Sequence, residues 1–167
     1  SIIQAGVWRG TITLMGHNIA VSPQSSAYND LGLVRLQDGA MVSAQFDFGR
    51  AIALDPQNPE PWINLAKVDT STQRTDAARH DIVQALRVAP DEIDILEDAG
   101  TLLYNIGDAN DALNALAKAA SLAPENPIAQ YNFANTLSDA GDLDSAIMHY
   151  RQAILLAPNL AVAHLGL

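Results

Sequence analysis

The chain has 167 residues, no cysteine, and 9 Lys+Arg against 19 Asp+Glu, a formal charge of −10. That length fits one domain or two very small ones, and the acidic balance disfavours nucleic acid and anionic membrane surfaces, which both need a basic face. The missing cysteines exclude disulfides, thiol catalysis and Cys-ligated metals, and a composition 49% apolar but only 5% aromatic suits closely packed helices filled by alanine and leucine.

Residues 1–24 form a segment of their own. It is rich in β-formers: Ile2, Ile3, Val7, Trp8, then Thr11, Ile12, Thr13 and Leu14, which alternate polar and apolar. The alternation predicts a strand near 7–15 and a second near 18–22, with Gly16-His17-Asn18 as the turn. A lone hairpin is marginal in water. It is therefore expected to lie either on the helices that follow, as a cap, or on an edge of another subunit. Trp8, Ile12 and Leu14 are its candidate self-association residues.

From residue 25 the chain repeats every 34 residues, and the prolines mark the period: Pro56, Pro90, Pro124 and Pro158. Ala44, Ala78, Ala112 and Ala146 recur in phase, as do Ala51, Ala85, Ala119 and Ala153. A large residue recurs as Phe48, Ile82, Leu116 and Tyr150. A turn glycine recurs as Gly39, Gly107 and Gly141, with Gln73 the exception. Proline stops a helix, glycine permits the tight turn, and small residues let helices approach closely. Each unit reads as helix A, a turn, helix B and a proline stop. The A helices are predicted at 25–37, 59–71, 93–105 and 127–139, and the B helices at 41–54, 75–88, 109–122 and 143–156. The units run 25–58, 59–92, 93–126 and 127–160. Asp108 and Asp142 are expected N-caps. The acids Asp91, Glu92, Asp94, Glu97 and Asp98 read as a solvated helix start favoured by the macrodipole, or as a cation-binding patch.

Residues 161–167 are in phase with the start of a fifth helix A. Leu160, Val162, Leu165 and Leu167 are apolar, whereas a repeat array normally closes with a polar cap. Either the array continues or has a disordered tail, or the open end stacks on another copy; head-to-tail stacking that does not close gives a filament. The longest apolar run falls short of the roughly 18 residues a membrane span needs. No charged stretch precedes an apolar one as in a signal peptide, so the start at Ser1 leaves a removed leader or a fragment as alternatives. The compartment stays open between a bacterial cytoplasm and, if a leader was removed, the periplasm or exterior. Two lysines and no cysteine fit an exported protein.

The pattern resembles the tetratricopeptide repeat family over Ser25 to about Leu160. Tyr28, Trp62, Leu96 and Gln130 hold the large position of early helix A. Leu31-Gly32, Leu65-Ala66, Ala99-Gly100 and Phe133-Ala134 hold the Leu-Gly pair. The second unit departs most, with Gln73 at the turn and Asp69 at a usually apolar position, and is expected to be looser. The resemblance implies an all-α right-handed solenoid whose A helices line a concave groove for a peptide or partner helix. Its groove residues would be Asn29, Leu33 and Leu36; Ile63, Lys67 and Thr70; Glu97, Thr101 and Tyr104; and Tyr131, Asn135 and Ser138. Asp30, Asn64, Asp98 and Asn132 look like the asparagine ladder of the O-linked N-acetylglucosamine transferase superhelix, whose amides hold peptide backbone. They also read as simple helix solvation.

The residues carry no sign of catalysis. His17, His80, His149 and His164 make no i, i+3 or i+4 pair. There is no glycine-rich phosphate loop and no Gly-x-Ser-x-Gly elbow. No catalytic residue, cofactor or metal is expected. The expected function is a non-enzymatic scaffold that binds protein or peptide, and a groove whose one cation is Lys67 favours neutral or basic peptides over acidic tails. The alternatives are a subunit that polymerises through Trp8, Ile12, Leu14, Leu160, Val162, Leu165 and Leu167, and the targeting array of a larger enzyme such as a glycosyltransferase.

Overall fold

The computed structural model describes residues 23–161 and 163. The expected hairpin, with Trp8, Ile12 and Leu14, and the tail residues Val162, Leu165 and Leu167 lie outside the described residues. Those described form eight α-helices: α1 (Ser25–Gln37), α2 (Met41–Leu54), α3 (Pro59–Ser71), α4 (Thr75–Val88), α5 (Ile93–Asn105), α6 (Ala109–Leu122), α7 (Pro127–Asp139) and α8 (Leu143–Leu156). These bounds coincide with the periodicity. The chain divides into two compact units, one up to Val88 and one from Ala89.

Helix starts and stops follow local chemistry. Pro59 and Pro127 each open a helix where a missing N–H costs nothing. The preceding Asn58 accepts from the Glu60 N–H at 3.1 Å, and Asn126 from that of Ile128 at 2.9 Å. Asp142 caps α8 by accepting from the Ser145 N–H at 3.2 Å. Asp108 also occupies an N-cap position, but its side chain makes no cap hydrogen bond, which corrects that expectation. At the other end of the B helices, Asp55 is already extended before Pro56, as the residue preceding proline must be.

All four A-to-B turns share one geometry. In the first, the Gly39 N–H donates to the Leu36 carbonyl at 3.0 Å and the Ala40 N–H to that of Arg35 at 2.8 Å, the paired bonds of a Schellman cap. It needs a left-handed residue: Gly39, Gly107 and Gly141 have φ of 77°, 90° and 84°. Gln73 takes the same conformation at φ 59°, and the same two bonds form around it. The turn thus survives the loss of its glycine, at a cost in strain.

The eight phased alanines are each 1% exposed or less. The phased large residue meets a small one on helix A of its own unit. A Cβ added to Gly32 would lie 2.5 Å from Phe48, and one added to Gly100 would lie 2.5 Å from Leu116. Ala134 and Tyr150 share a cluster in the fourth repeat. Fully burying a residue such as Phe48 contributes about 1.5–3 kcal/mol.

Polar groups enter this frame at phased positions. In the first unit the interior holds Asp47, Asp69 and Asp81, at 1%, 2% and 5% exposure. Arg35 grips both oxygens of Asp47 at 2.8 and 2.7 Å. Asp69 accepts from Gln45 at 2.7 Å and pairs with Arg74 at 3.5 Å, so the departures of the second repeat are filled by a polar network. Asp81 meets His80 at 2.9 Å. Burial pushes the Asp47 and Asp81 carboxyls above their ordinary range, against the opposing pull of Arg35 and His80. In the second unit Gln130 replaces the large residue of early helix A. It is buried, donates to the carbonyls of Ala120 and Pro124 at 3.2 and 3.3 Å, and meets His149 at 2.7 Å. The His149 ring lies edge-on to Phe133, 4.7 Å away, and burial lowers its pKa.

Candidate peptide-binding cleft

The expected groove residues fare differently in the two units. In the first, Asn29, Ile63 and Asn64 are 3%, 2% and 8% exposed. The Asn64 amide donates to Asn29 Oδ1 at 2.9 Å, and the Asn29 amide to Glu60 at 3.3 Å. These side chains join α1 to α3. Asp30 and Leu33 are exposed, while Leu36, Lys67 and Thr70 are half-buried.

In the second unit α5 and α7 leave an open cleft of about 270 Å³. Thr101 and Tyr104 reach it from α5, Leu116 from α6, Asn132, Asn135, Thr136, Ser138 and Asp139 from α7, and Tyr150 from α8. Five expected groove residues therefore meet there: Thr101, Tyr104, Asn132, Asn135 and Ser138. The helical period brings them together, since 101 and 104, and likewise 132, 135 and 139, share a helix face. Tyr131 is outside the lining, its ring 6.0 Å from that of Tyr150. Glu97 and Asp98 are half-buried and outside the lining.

The hydrogen bonds decide what the cleft offers. Tyr150 donates to Asn135 Oδ1 at 2.7 Å, Thr136 to the Asn132 carbonyl at 3.2 Å, and Thr101 to the Glu97 carbonyl at 2.9 Å. The Asp139 carboxylate beside Tyr104 raises its pKa, by hydrogen bonding first and then by charge. Burial, then Tyr131 and Asp139 nearby, raise that of Tyr150. Glu97 is also raised, by burial first and then by Asp94 and Asp98. Asn135 keeps its amide hydrogens, and Asn132 brings an amide able to donate and accept. Asp139 is the one charged residue of the lining. Sequence reading missed it, with Leu116, Thr136 and Tyr150. Its signal was an acid on the phase otherwise held by Gln37, Ser71 and Asn105.

Of the acidic run, Asp91 pairs with Lys118 at 2.8 Å, and Glu97 accepts from Asn126 at 3.4 Å. Among the described residues no group of three or more His, Asp or Glu is placed to hold a metal ion. Among them, too, no helix is long and apolar enough to cross a membrane.

Residues 97–161, from α5 to just past α8, match the tetratricopeptide repeat family. The chain carries tetratricopeptide repeats. Its sequence is 35% identical over 69 residues, 41% of the chain, to the tetratricopeptide-repeat-containing thioredoxin TTL4 of Arabidopsis thaliana. The chain spans only 10% of that relative's length. The crystal structure of MamA is similar at a TM-score of 0.78 and 18% identity, over 95% of this chain and 93% of that one. The crystal structure of YrrB, described as a tetratricopeptide repeat protein with an unusual peptide-binding site, is similar at 0.74 and 18% identity, over 98% and 84%. At these identities the likeness is one of fold: an all-α array of helical repeats.

Proposed function

We propose that the chain is a non-enzymatic interaction scaffold that holds an extended peptide in the cleft between α5 and α7. The observation that carries this reading is the convergence of Thr101, Tyr104, Asn132, Asn135 and Ser138 on one open concavity. Asn132 and Asn135 hold the peptide backbone, since an amide donates to a carbonyl and accepts from an N–H. The YrrB description lends support by placing a peptide site on a similar fold. The test is binding of matched basic, neutral and acidic C-terminal peptides to the full chain. Basic and neutral peptides bind, and Asn132→Ala weakens them roughly tenfold. Tight binding of the acidic set, or affinity indifferent to Asn132, overturns the reading.

Self-assembly is the second reading. Its support is the exposure of three large apolar residues of α8: Leu143, Met148 and Leu155 are 59%, 63% and 74% exposed. Sedimentation across a dilution series tests it: a dilution-stable monomer ends the idea, and fibres lost with Leu165→Asp plus Leu167→Asp support it. A third reading, the targeting array of a larger enzyme such as a glycosyltransferase, is tested by the gene sequence beyond Leu167.

A further inference from the structure

Two residues of the cleft break the repeat pattern together. Tyr104 stands where the other units have Leu36, Thr70 and Ser138, and Asp139 where they have Gln37, Ser71 and Asn105. Both side chains line the same cleft, and the Asp139 carboxylate is near enough to raise the Tyr104 pKa. Asp139 is the last residue of α7, where unpaired backbone carbonyls disfavour an anion. An acid held there against its helix dipole is costly, and no lysine, arginine or histidine of the lining offsets it.

Three of the lining's hydroxyl donors are meanwhile turned away. Thr101 and Thr136 point theirs at backbone carbonyls, and Tyr150 at Asn135. The Asp139 carboxylate beside Tyr104 raises its pKa and so favours the protonated phenol, whose oxygen can still accept a hydrogen bond. The carboxylate has roughly four acceptor positions. This end of the cleft therefore presents acceptors, a negative charge and the face of a 44% exposed tyrosine ring. A group that only donates, carries positive charge and stacks on an aromatic face fits it.

We propose that Asp139 and Tyr104 form a subsite for one arginine or lysine side chain of the bound peptide. This deepens, and rests on, the reading of the cleft as a peptide site. The carboxylate pairs with the guanidinium or ammonium group, Tyr104 orients the carboxylate and covers the cation, and Asn132 and Asn135 hold the adjoining backbone.

The test is selection of a phage-displayed library of random linear peptides on the full chain. The winners are then remade with citrulline for arginine or glutamine for lysine. Arginine or lysine is enriched at one position, and the neutral form binds roughly tenfold more weakly. Asp139→Asn removes that difference, Tyr104→Phe reduces it, and Asn132→Ala weakens charged and neutral forms alike. Asp139 is exposed, so its variant folds, and its melting temperature equals or exceeds the parent's. Winners without a basic residue, or a charged-to-neutral ratio unchanged by Asp139→Asn, overturn the subsite and leave the peptide site standing. Winners indifferent to Asn132→Ala, or no winners at all, overturn both.

Discussion

Where α1 and α3 carry Arg35 and Asp69, the matching positions of α5 and α7 carry Leu103 and Leu137. Where α2 and α4 carry Asp47 and Asp81, α6 and α8 carry Ala115 and His149. The same positions are thus filled largely by ions in one unit and by apolar groups in the other. Both units nonetheless have the same helix bounds and the same turn. Helix boundaries are set by the caps, the left-handed turn residue and the fit of small against large residues. What fills the remaining space is free to vary if every polar group finds a partner. A complete buried ion pair adds little net stability, but it is expensive to break.

That contrast is testable by exchange. Arg35→Met leaves the Asp47 carboxylate buried without its cation and destabilises the chain by about 3 kcal/mol in urea unfolding, with amide exchange rising first in α1 and α2. Arg35→Leu combined with Asp47→Ala installs the Leu103/Ala115 pair of the second unit and recovers to within about 1 kcal/mol of the parent, since an apolar replacement avoids the desolvation cost. If the double variant is no better than the single one, packing at this position is not interchangeable.

Gly32→Ala and Gly100→Ala test what the units share. Each drives a methyl into the large partner and costs about 1–3 kcal/mol, seen as a fall in the urea midpoint. A loss confined to one of them would show that the fit is tight in one unit only. Gln73→Gly runs the other way, gaining about 1 kcal/mol by relieving a left-handed side chain.

The smallest effect is the response to acid, which differs in sign. The His149 pKa is lowered in the fold, so the second unit loses stability as pH falls through the ordinary histidine value of about 6.5. Asp47 and Asp81 are raised. The penalty for their charge is present at neutral pH and is relieved as pH falls towards the ordinary carboxylate range, which steadies the first unit. Glu97, also raised, adds the same relief to the second unit as pH falls. Residue-resolved amide exchange from pH about 7 to about 5 first loosens α7 and α8, while α2 and α4 hold or tighten.

The eight helices were legible because proline, glycine and alanine carry their positional meaning in their own covalent geometry. The interior polar contacts were not. Asp69 read as a defect, and Arg35, Asp47 and Gln130 are polar residue types that look alike in sequence whether solvated or buried. Three of the expected groove residues were misjudged for a related reason. Asn29 and Asn64 are buried and bonded to each other between α1 and α3, and Ile63 is buried too. The meeting of Tyr104 with Asp139 joins two different phases of the repeat, so no single column of the periodic pattern displays it.

Each match of a small residue to a large one lies inside a single repeat: Gly32 with Phe48, Gly100 with Leu116, Ala134 with Tyr150. A recombination event that adds or removes a whole 34-residue unit carries both halves of the match together. Gene-level changes in repeat number therefore bring in units already fitted internally, and the length of such an array can evolve faster than the composition of its core.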